Sequence, residues 1–268
     1  MIKLTLLKYT TVSLLLTTSS YTVIAQENGG RPNYGPPKIE GWQVDVGIGS
    51  IISPEYLGAS DYRVMPIPYI DVRYGENLFL NVPKGLGGYV VNSQYGDISV
   101  KLGAAIAPNF FNRDAEDFPG LSEVKMAAEA RGYGEFKYGN FSLDVTVAQD
   151  VGTGHDGAYS DISLGYGKRL GDGFFKVSGS VRLADKTYMN SFYTVTAADS
   201  ITSGLNPYRA DSGLERFSLS ALYAYEFNDR WRMTVITNAD FLQNKAKASP
   251  IVEKSNSVTV ISALTYRF

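Results

Sequence analysis

Apolar residues alternate with polar or small residues along segments of about ten residues in much of this sequence. Residues 98–106 and 217–227 are apolar at every second position. A period of two places alternate side chains on opposite faces of a β-strand. Strands of soluble proteins average about five or six residues, whereas a tilted strand that crosses hydrocarbon needs about nine to eleven. The pattern therefore predicts an all-β protein, a closed antiparallel transmembrane β-barrel, because only a closed sheet leaves no backbone group unpaired in lipid.

The spacing of the turns predicts the number of strands. Short turns alternate with long polar connections, and bacterial barrels place short turns in the periplasm and long loops outside. This alternation is strict only if residues 78–82 and 86–91 are two short strands, joined by an outer turn at residues 83–85. The prediction is twelve strands within residues 41–268 and both termini in the periplasm. Ten strands is the alternative, if one short segment is not a strand.

The first 25 residues predict a signal peptide. Lys3 and Lys8 supply a positive start, residues 9–25 carry no charge, and Ala25 ends a plausible cleavage site. Residues 26–40, with their Asn, Gly and Pro, predict a flexible periplasmic tail. Loss of the two lysines with the signal peptide changes the formal charge from −2 to −4. Such a mild charge, without a basic run, does not favour nucleic acid as a partner.

Aromatic residues concentrate at the periplasmic end of the predicted barrel. An interfacial girdle is expected from Trp42, Tyr74, Tyr138, Phe141, Phe175, Phe227 and Trp231, which lie beside predicted turns or the start of the barrel. The last strand ends in Tyr266-Arg267-Phe268. An amphipathic strand ending in an aromatic residue resembles the sorting signal read by the barrel-insertion machinery, with Tyr266 and Phe268 as the signal residues. These features predict the outer membrane of a Gram-negative bacterium as the location and its lipid as the surrounding solvent.

The inward face of the predicted barrel carries both signs of charge. Alternation places eight acids there, namely Asp45, Asp71, Glu129, Glu135, Asp144, Asp161, Glu226 and Asp240. It also places ten bases there, namely Arg73, Lys101, Arg131, Lys137, Arg169, Lys176, Arg182, Arg216, Arg232 and Arg267. A selective pore usually shows one dominant sign, so mixed signs in a narrow barrel favour a lumen closed by hydrogen-bonded ion pairs. A water-filled channel with solvated charges is the alternative.

Catalytic and metal chemistry have little support in the sequence. His155 is the only histidine and lies in a glycine-rich loop, and no serine is recognisably paired with it on one face. A Ser–His–acid triad is therefore not predicted, and we expect a polar loop in a protein that is not an enzyme. The chain has no cysteine, which excludes disulfides and thiolate zinc sites. Residues 112–117 lack the spacing of a calcium loop and are expected to be solvated, and no cofactor is predicted.

The long connection at residues 186–213 contains four aromatic residues, Tyr188, Phe192, Tyr193 and Tyr208. Exposed aromatic residues on one loop can form a binding surface, and they can equally fold inward as a plug. Both interpretations stay open at this point.

Three groups of residues, far apart in the chain, form a recognisable pattern. They are Ser53-Pro54-Glu55-Tyr56 with Gly58 and Pro66-x-Pro68; Ser203-Gly204-Leu205 with Pro207-Tyr208 and Gly213; and Ser249-Pro250-Ile251-Val252 before the last strand. With these motifs in this order, the mature chain resembles the MipA/OmpV family (MltA-interacting protein family) of outer-membrane proteins. The family often has an acidic residue before Ala near the third motif. Here Asn244-Lys245-Ala246 stands instead, so a role of that acid does not carry over.

The resemblance implies a function in cell-wall assembly. Family members named for interaction with a lytic transglycosylase are described as scaffolds that join this murein hydrolase to a bifunctional penicillin-binding protein. If the same holds here, candidate docking surfaces are residues 26–40 and the turns around Glu76, Asn140, Asp172 and Asp229. Other members are treated as adhesins or channel-like proteins. A channel or small-ligand transporter and an adhesin are therefore the alternatives.

Overall fold

The computed structural model describes residues 41–110, 112–113 and 118–268. The strands are β1 (Trp42–Pro54), β2 (Tyr62–Tyr74), β3 (Leu78–Asn81), β4 (Gly85–Tyr95), β5 (Ile98–Asn109), β6 (Ala127–Tyr138), β7 (Phe141–Asp150), β8 (Ala158–Leu170), β9 (Gly173–Ala184), β10 (Gly213–Glu226), β11 (Trp231–Leu242) and β12 (Asn256–Arg267). Three helices lie in long connections: α1 (Lys186–Tyr193), α2 (Ala197–Ser203) and α3 (Asn244–Lys247). The predicted signal peptide and tail lie outside the described residues.

The strands form one closed antiparallel barrel. Each strand pairs with its neighbours in sequence, and β1 pairs with β12 to complete the ring. The twelve-strand prediction is confirmed, and the ten-strand alternative is wrong. Five short turns lie at the same end of the barrel as the start of β1 and the end of β12. The long connections and the short turn between β3 and β4 lie at the other end. We call the first the rim end and the second the outer end.

One predicted strand is longer than expected. The sequence pattern predicts a strand at residues 86–91 and a turn at residues 93–96, whereas β4 spans eleven residues, Gly85–Tyr95. A register shift between Tyr89 and Val91 interrupts the alternation, which conceals the second half of the strand from a period-two search. Tyr95 pairs with Ile98, so Gly96, at φ 59°, and Asp97 form a two-residue turn.

The two faces of each strand meet different surroundings. On β7, Phe141 and Val147 are exposed on the outside, whereas Ser142 and Ala148 are buried inside. Around the barrel, large apolar side chains such as Ile48 and Leu164 keep 75% and 65% of their surface exposed. A continuous exposed apolar band on a closed barrel is favourable in hydrocarbon and unfavourable in water. None of the described helices is long and apolar enough to cross a membrane.

The aromatic residues of the predicted girdle lie toward the rim end. Rings pack in pairs between neighbouring strands, with centroids 4.8 Å apart for Trp42 and Tyr74 and 5.1 Å apart for Trp231 and Tyr266. The structure places Tyr138, Phe141, Phe175, Phe227 and Phe268 at the same end, with exposed side chains. Their role as interfacial anchors, and that of Tyr266 and Phe268 as an insertion signal, stay predictions.

Candidate functional site: the charged lumen and its outer lid

Every acid that alternation placed in the lumen has a basic partner. The pairs are Asp45–Arg267 (2.9 Å), Asp71–Arg73 (2.7 Å), Glu129–Arg131 (2.8 Å), Glu135–Lys84, Asp144–Lys176 (3.1 Å), Asp161–Arg182 (2.5 Å), Asp240–Arg216 (3.8 Å), and Glu226 with Arg232 (2.8 Å) and Arg169 (2.9 Å). Of the other predicted bases, Lys101 lies over the Tyr89 ring, 5.2 Å from its centroid, and Lys137 is half-buried on β6. Each of the eight predicted lumen acids is therefore compensated by a nearby base.

Several of the most deeply buried charges form one cluster near the outer end of β8, β9 and β10. Arg182 donates from Nε and Nη2 to the two carboxylate oxygens of Asp161, at 2.7 and 2.5 Å. Its Nε also lies 3.8 Å from Glu215, which is fully buried. Glu215 accepts hydrogen bonds from Tyr193 Oη at 2.6 Å and from Arg216 Nη1 at 3.1 Å. Buried charges are stable only when paired and hydrogen-bonded in this way.

Several buried charges were not predicted from the sequence, among them Glu215 and Lys84. Strict alternation would turn Glu215 toward lipid, but a register shift between Leu214 and Arg216 brings it inward beside Arg216. Two adjacent charged residues in a membrane strand indicate such a bulge, because without it one of the two charges would face lipid. Lys84, assigned to an outer turn, has a buried side chain whose Nζ contacts Glu135 and Tyr89 Oη.

The side chain of His155 is buried, although most of its polar, glycine-rich loop is exposed. The Asp150 carboxylate accepts hydrogen bonds from the backbone N–H groups of Gly152, Gly154, His155 and Asp156, and so folds the loop over the barrel. The His155 ring then packs edge-on against Tyr188, with centroids 4.9 Å apart.

The hydrogen bonds of His155 determine its tautomer. Nδ1 accepts from the Gly157 N–H at 3.1 Å, so in the neutral ring Nε2 carries the proton and donates to Glu129 Oε1 at 3.0 Å. Ser191 Oγ contacts the backbone carbonyl of His155 and is not a ring partner in the described structure. His155 therefore connects its loop to Glu129 of β6, and this arrangement is not that of a nucleophile–base pair. Within the described residues, no group of three or more His, Asp or Glu could hold a metal ion.

Helix α1 closes the outer mouth of the lumen. Asp185 caps its first turn by accepting a hydrogen bond from Tyr188 N at 2.7 Å. The buried side chains of α1 are Tyr188, Met189, Phe192 and Tyr193. They form one apolar cluster with lumen-facing residues at the outer ends of the strands, including Ala148, Tyr159 and Leu242. These aromatic residues therefore form a plug and not an exposed binding surface.

Residues from each of the three motif groups meet above this plug in a structure that we call the lid, made of residues 55–61, 118–126, 194–212 and 243–255. Pro66 and Pro68 of the first group lie instead in β2. Tyr56, Val195 and Ile251 are buried in one cluster, with Leu205 and Tyr208 packed against it. Ser249 Oγ donates to the backbone carbonyl of Tyr193 at 2.7 Å, and Tyr208 Oη donates to that of Lys245 at 2.7 Å. The motifs thus join the lid to the plug.

Gly58 allows the first and last loops to touch. Its φ of +99° is unfavourable for other residues, and a Cβ at this position would lie 2.8 Å from a methyl carbon of Val252. The Gly58 carbonyl accepts from the backbone N–H groups of Glu253 and Lys254, at 2.8 and 2.9 Å. The glycine is therefore required by both backbone conformation and close packing.

Glu253 is the main polar latch of the lid. One carboxylate oxygen accepts from the backbone N–H and hydroxyl of Ser60, and the other accepts from Tyr56 Oη at 3.1 Å. The hydrogen bonds from Ser60 lower the pKa of Glu253 below its usual range. The same carboxylate raises the pKa of Tyr56, adding to the larger effect of burial.

This latch predicts an acid-sensitive lid. Because the pKa of Glu253 is lower in the folded state, its stabilising effect is complete above the unfolded value of about 4.3 and is lost as the pH falls through the lowered value. Protease cleavage within residues 55–61 should stay slow from pH 7 to 5 and increase below about pH 4. Glu253→Gln should increase cleavage at pH 7 and remove most of the acid dependence. Equal protection of both proteins at every pH would contradict this role.

Arg113 and Asp199 join another loop to the helices. Arg113 Nη1 donates to the backbone carbonyl of Phe192 at 2.8 Å, and Asp199 accepts from the N–H and hydroxyl of Ser122 at 2.9 and 2.7 Å. Burial acts to raise the pKa of Asp199, but hydrogen bonds from Ser122 and Thr196 outweigh it and the pKa is lowered. Buried Arg113 shows that residues 112–113 are not solvated as expected.

One known protein family matches most of this chain. A family model described as "MltA-interacting protein MipA" matches residues 46–268. A sequence comparison with curated proteins finds no match.

Solved barrels resemble the chain only distantly. OmpT of Vibrio cholerae has 9% identity over 87% of this chain and 99% of its own, with a TM-score of 0.37. A FadL homologue of Pseudomonas aeruginosa has 10% identity over 85% and 89%, with a TM-score of 0.39. The outer membrane protein OprG of Pseudomonas aeruginosa has 10% identity over 85% and 96%, with a TM-score of 0.27. At these values the likeness carries no information on function.

Proposed function

Because this chain belongs to the family of the MltA-interacting protein MipA, we propose that it is an outer-membrane scaffold for murein enzymes. In this proposal the non-enzymatic barrel sits in the outer membrane of a Gram-negative bacterium. Its periplasmic rim links a murein lytic transglycosylase to a penicillin-binding protein. The name of the family model supports the first partner, and the second follows from the family resemblance.

The filled interior is the observation that carries the proposal. The lumen charges are paired, α1 occupies the mouth and the lid covers α1. A barrel of this kind offers little room for a solute, which disfavours a channel or transporter. The rim end, by contrast, presents short turns to the compartment that contains murein. A partner in that compartment meets these turns first.

The rim is acidic. Four of its five turns expose an acid, namely Glu76, Asp97, Asp172 and Asp229, and the fifth exposes Asn140. Arg230, next to Asp229, is the one exposed base within these turns, so the acids outnumber the bases. Asp97 lies in the turn between β4 and β5 and is not among the rim residues that the sequence suggested. The nearby Arg169 is engaged with Glu226, at 2.9 Å. A ring of exposed acids favours a partner with a basic surface, and such attraction weakens with salt.

Neutralising the rim tests the proposal. The variant Glu76→Gln, Asp97→Asn, Asp172→Asn and Asp229→Asn should bind a purified lytic transglycosylase about tenfold more weakly, since exposed charge pairs contribute about 0.2–1 kcal/mol each. Affinity would be measured with the barrel in nanodiscs at two salt concentrations, and crosslinking would locate the contact. Wild-type binding should weaken at high salt, and binding of the variant should change little.

The matched control neutralises four exposed acids of the outer end, Asp61, Glu123, Asp156 and Asp211. It removes the same charge and should keep wild-type affinity. Equal loss in both variants would show that net charge alone matters. Undiminished binding by the rim variant would exclude these turns, and a chain beginning at residue 41 would then test the tail at residues 26–40. No binding by the wild-type protein to either enzyme class would refute the scaffold itself.

A further inference from the structure

Among the residues that the structure describes, the wall of the barrel is incomplete in its outer half. β2 pairs with β1 along its whole length, but it pairs with β3 only from Asp71 to Tyr74. No described strand pairs with residues 62–70 along that second edge. On the far side, β4 pairs with β5 only as far as Ile106. We call the opening between residues 62–70 of β2 and the outer end of β5 the notch.

The prolines of these strands coincide with the notch. Gly75 N donates to the Gly41 carbonyl of the β1 side, so odd-numbered residues of β2 direct their backbone groups to β1 and even-numbered residues direct them to the other edge. Pro66 and Pro68 are even-numbered, and the N–H groups that they lack would have pointed into the notch. Proline is tolerated in a strand where no ladder partner exists.

The same reasoning applies on the opposite side. Gly139 N donates to the Asp97 carbonyl, so odd-numbered residues of β5 face β6 and even-numbered residues face β4. Pro108 lies two residues beyond the last pair with β4, and its missing N–H would also have pointed into the notch. Each edge of the opening therefore lacks amide donors at its prolines, whose N–H groups would have had no partner in lipid.

Carbonyl groups at the lower border of the notch are satisfied from inside. Arg131 donates from Nη1 to the Pro83 carbonyl at 2.9 Å and from Nη2 to the Pro108 carbonyl at 3.2 Å. Tyr133 Oη donates to the Lys84 carbonyl at 3.0 Å. These bonds hold the tip of the β3–β4 hairpin in place. The notch is thus a built feature and not a frayed end.

An additional strand is a poor occupant for this opening. A strand that pairs with an edge needs alternating donors and acceptors, and Pro66 and Pro68 remove two consecutive donors from the edge of β2. This argument disfavours a second copy of the chain or an extended peptide.

Apolar side chains line the notch from outside to inside. Val64 and Ile70 are exposed on the lipid-facing side of β2. Met65, Ile67 and Tyr69 face inward, and each stays partly exposed although most lumen charges are buried. Ile67 also packs against a buried apolar cluster inside the barrel, formed by Ile51, Leu222, Ala224, Ile236 and Ile261. The apolar surface is thus continuous from the lipid-facing band into the interior.

We propose that the notch is a lateral port that takes the acyl chain of an outer-leaflet lipid. The chain enters between β2 and the end of β5 and lies against Met65 and Ile67. Hydrocarbon fits the position because it needs no hydrogen-bond partner and continues the apolar surface formed by Val64, Met65 and Ile67. The lipid that surrounds the barrel supplies the occupant. This inference does not depend on the scaffold proposal.

Quenching of a single tryptophan tests the port in the folded full mature chain. Trp42→Phe and Trp231→Phe remove the native tryptophans, and Met65→Trp places one inside the notch. A reference variant carries Val64→Trp, which places the tryptophan on the lipid-facing side. In vesicles of phosphatidylcholine with dibrominated acyl chains, Met65→Trp should lose at least half as much fluorescence as Val64→Trp. Thr146→Trp, on the lumen face of β7, is the interior control and should be quenched little.

The outcomes separate the occupants. Quenching at position 65 no greater than at position 146 would overturn the proposal. If quenching at position 65 appears only in a chain beginning at residue 41, then residues 26–40 fill the notch in the intact protein and the lipid port is wrong. Heat-dependent mobility on gels would confirm that each variant is folded.

A second measurement avoids tryptophan. Native mass spectrometry of the detergent-extracted protein should show a retained lipid, which Ile67→Asp should reduce at least fivefold. Thr146→Asp is the matched control, since it adds the same charge to the opposite wall of the lumen. Equal retention by both variants would contradict an acyl chain at Ile67.

Discussion

Arg182→Ala is expected to destabilise the folded barrel by about 3–5 kcal/mol, because removing one partner of a buried ion pair leaves an uncompensated charge. Arg182 is 1% exposed and is bound bidentately by Asp161. Its guanidinium also stacks on Tyr159, 3.7 Å from the ring centroid, and Nη1 donates to Tyr188 Oη at 3.2 Å. The alanine variant would lose all of these interactions and leave Glu215 with one cation fewer nearby.

Urea unfolding in detergent micelles measures this loss. The matched control is Arg169→Ala, which breaks the ion pair with Glu226 on side chains that are 40% and 21% exposed. Exposed pairs contribute about 0–1 kcal/mol, so the control should unfold close to the wild type. Arg182→Lys keeps the charge without the bidentate geometry and should lie between. A cost for Arg182→Ala no larger than that for Arg169→Ala would show that water reaches the cluster.

Removing the plug is expected to turn a closed barrel into a conducting one. Ala184 pairs with Gly213, so a linker of about four glycine and serine residues can replace residues 186–211 without changing the pairing of β9 and β10. The replacement removes Tyr188, Phe192 and Tyr193, which fill the outer mouth. In planar bilayers the wild-type protein should give no discrete conductance steps, whereas the variant should give stable steps.

The control for this experiment changes the same segment on its exposed side. Ile201 of α2 is 86% exposed, so Ile201→Ser should leave the barrel closed. Conductance steps from the wild-type protein would return the channel to consideration. A silent deletion variant would show that the ion pairs below α1 close the lumen by themselves, and combining the deletion with Arg182→Ala would then open it.

Much of the fold followed from a period of two. Asp161 and Arg182 could be assigned to the lumen because they lie on the polar face of strands whose other face is apolar. These strands are also long enough to cross a membrane. Their pairing also required the register of β8 against β9, which no single strand encodes. Glu215 was not predicted to face the lumen, because the register shift between Leu214 and Arg216 changes which residues at the start of β10 point inward.

Much less of the candidate site could be predicted from the sequence. The motif residues Tyr56, Tyr208 and Ile251 were recognisable as motifs, but nothing local indicated that they share one cluster. The burial of His155 was unexpected for a similar reason, since its glycine-rich loop has the composition of a solvated segment. Pro66 and Pro68 signal an edge only once the short β3 is known to stop at Asn81.

By itself, the sequence predicted twelve strands, with ten as the alternative, together with the two faces of most strands and the end at which most short turns lie. These properties depend on residues that are near one another in the chain, through side-chain alternation and turn chemistry. Tertiary structure alone decided the partners of the lumen charges, the plug, the lid and the notch. These depend on closure, because joining β12 to β1 sets which distant strand ends lie side by side.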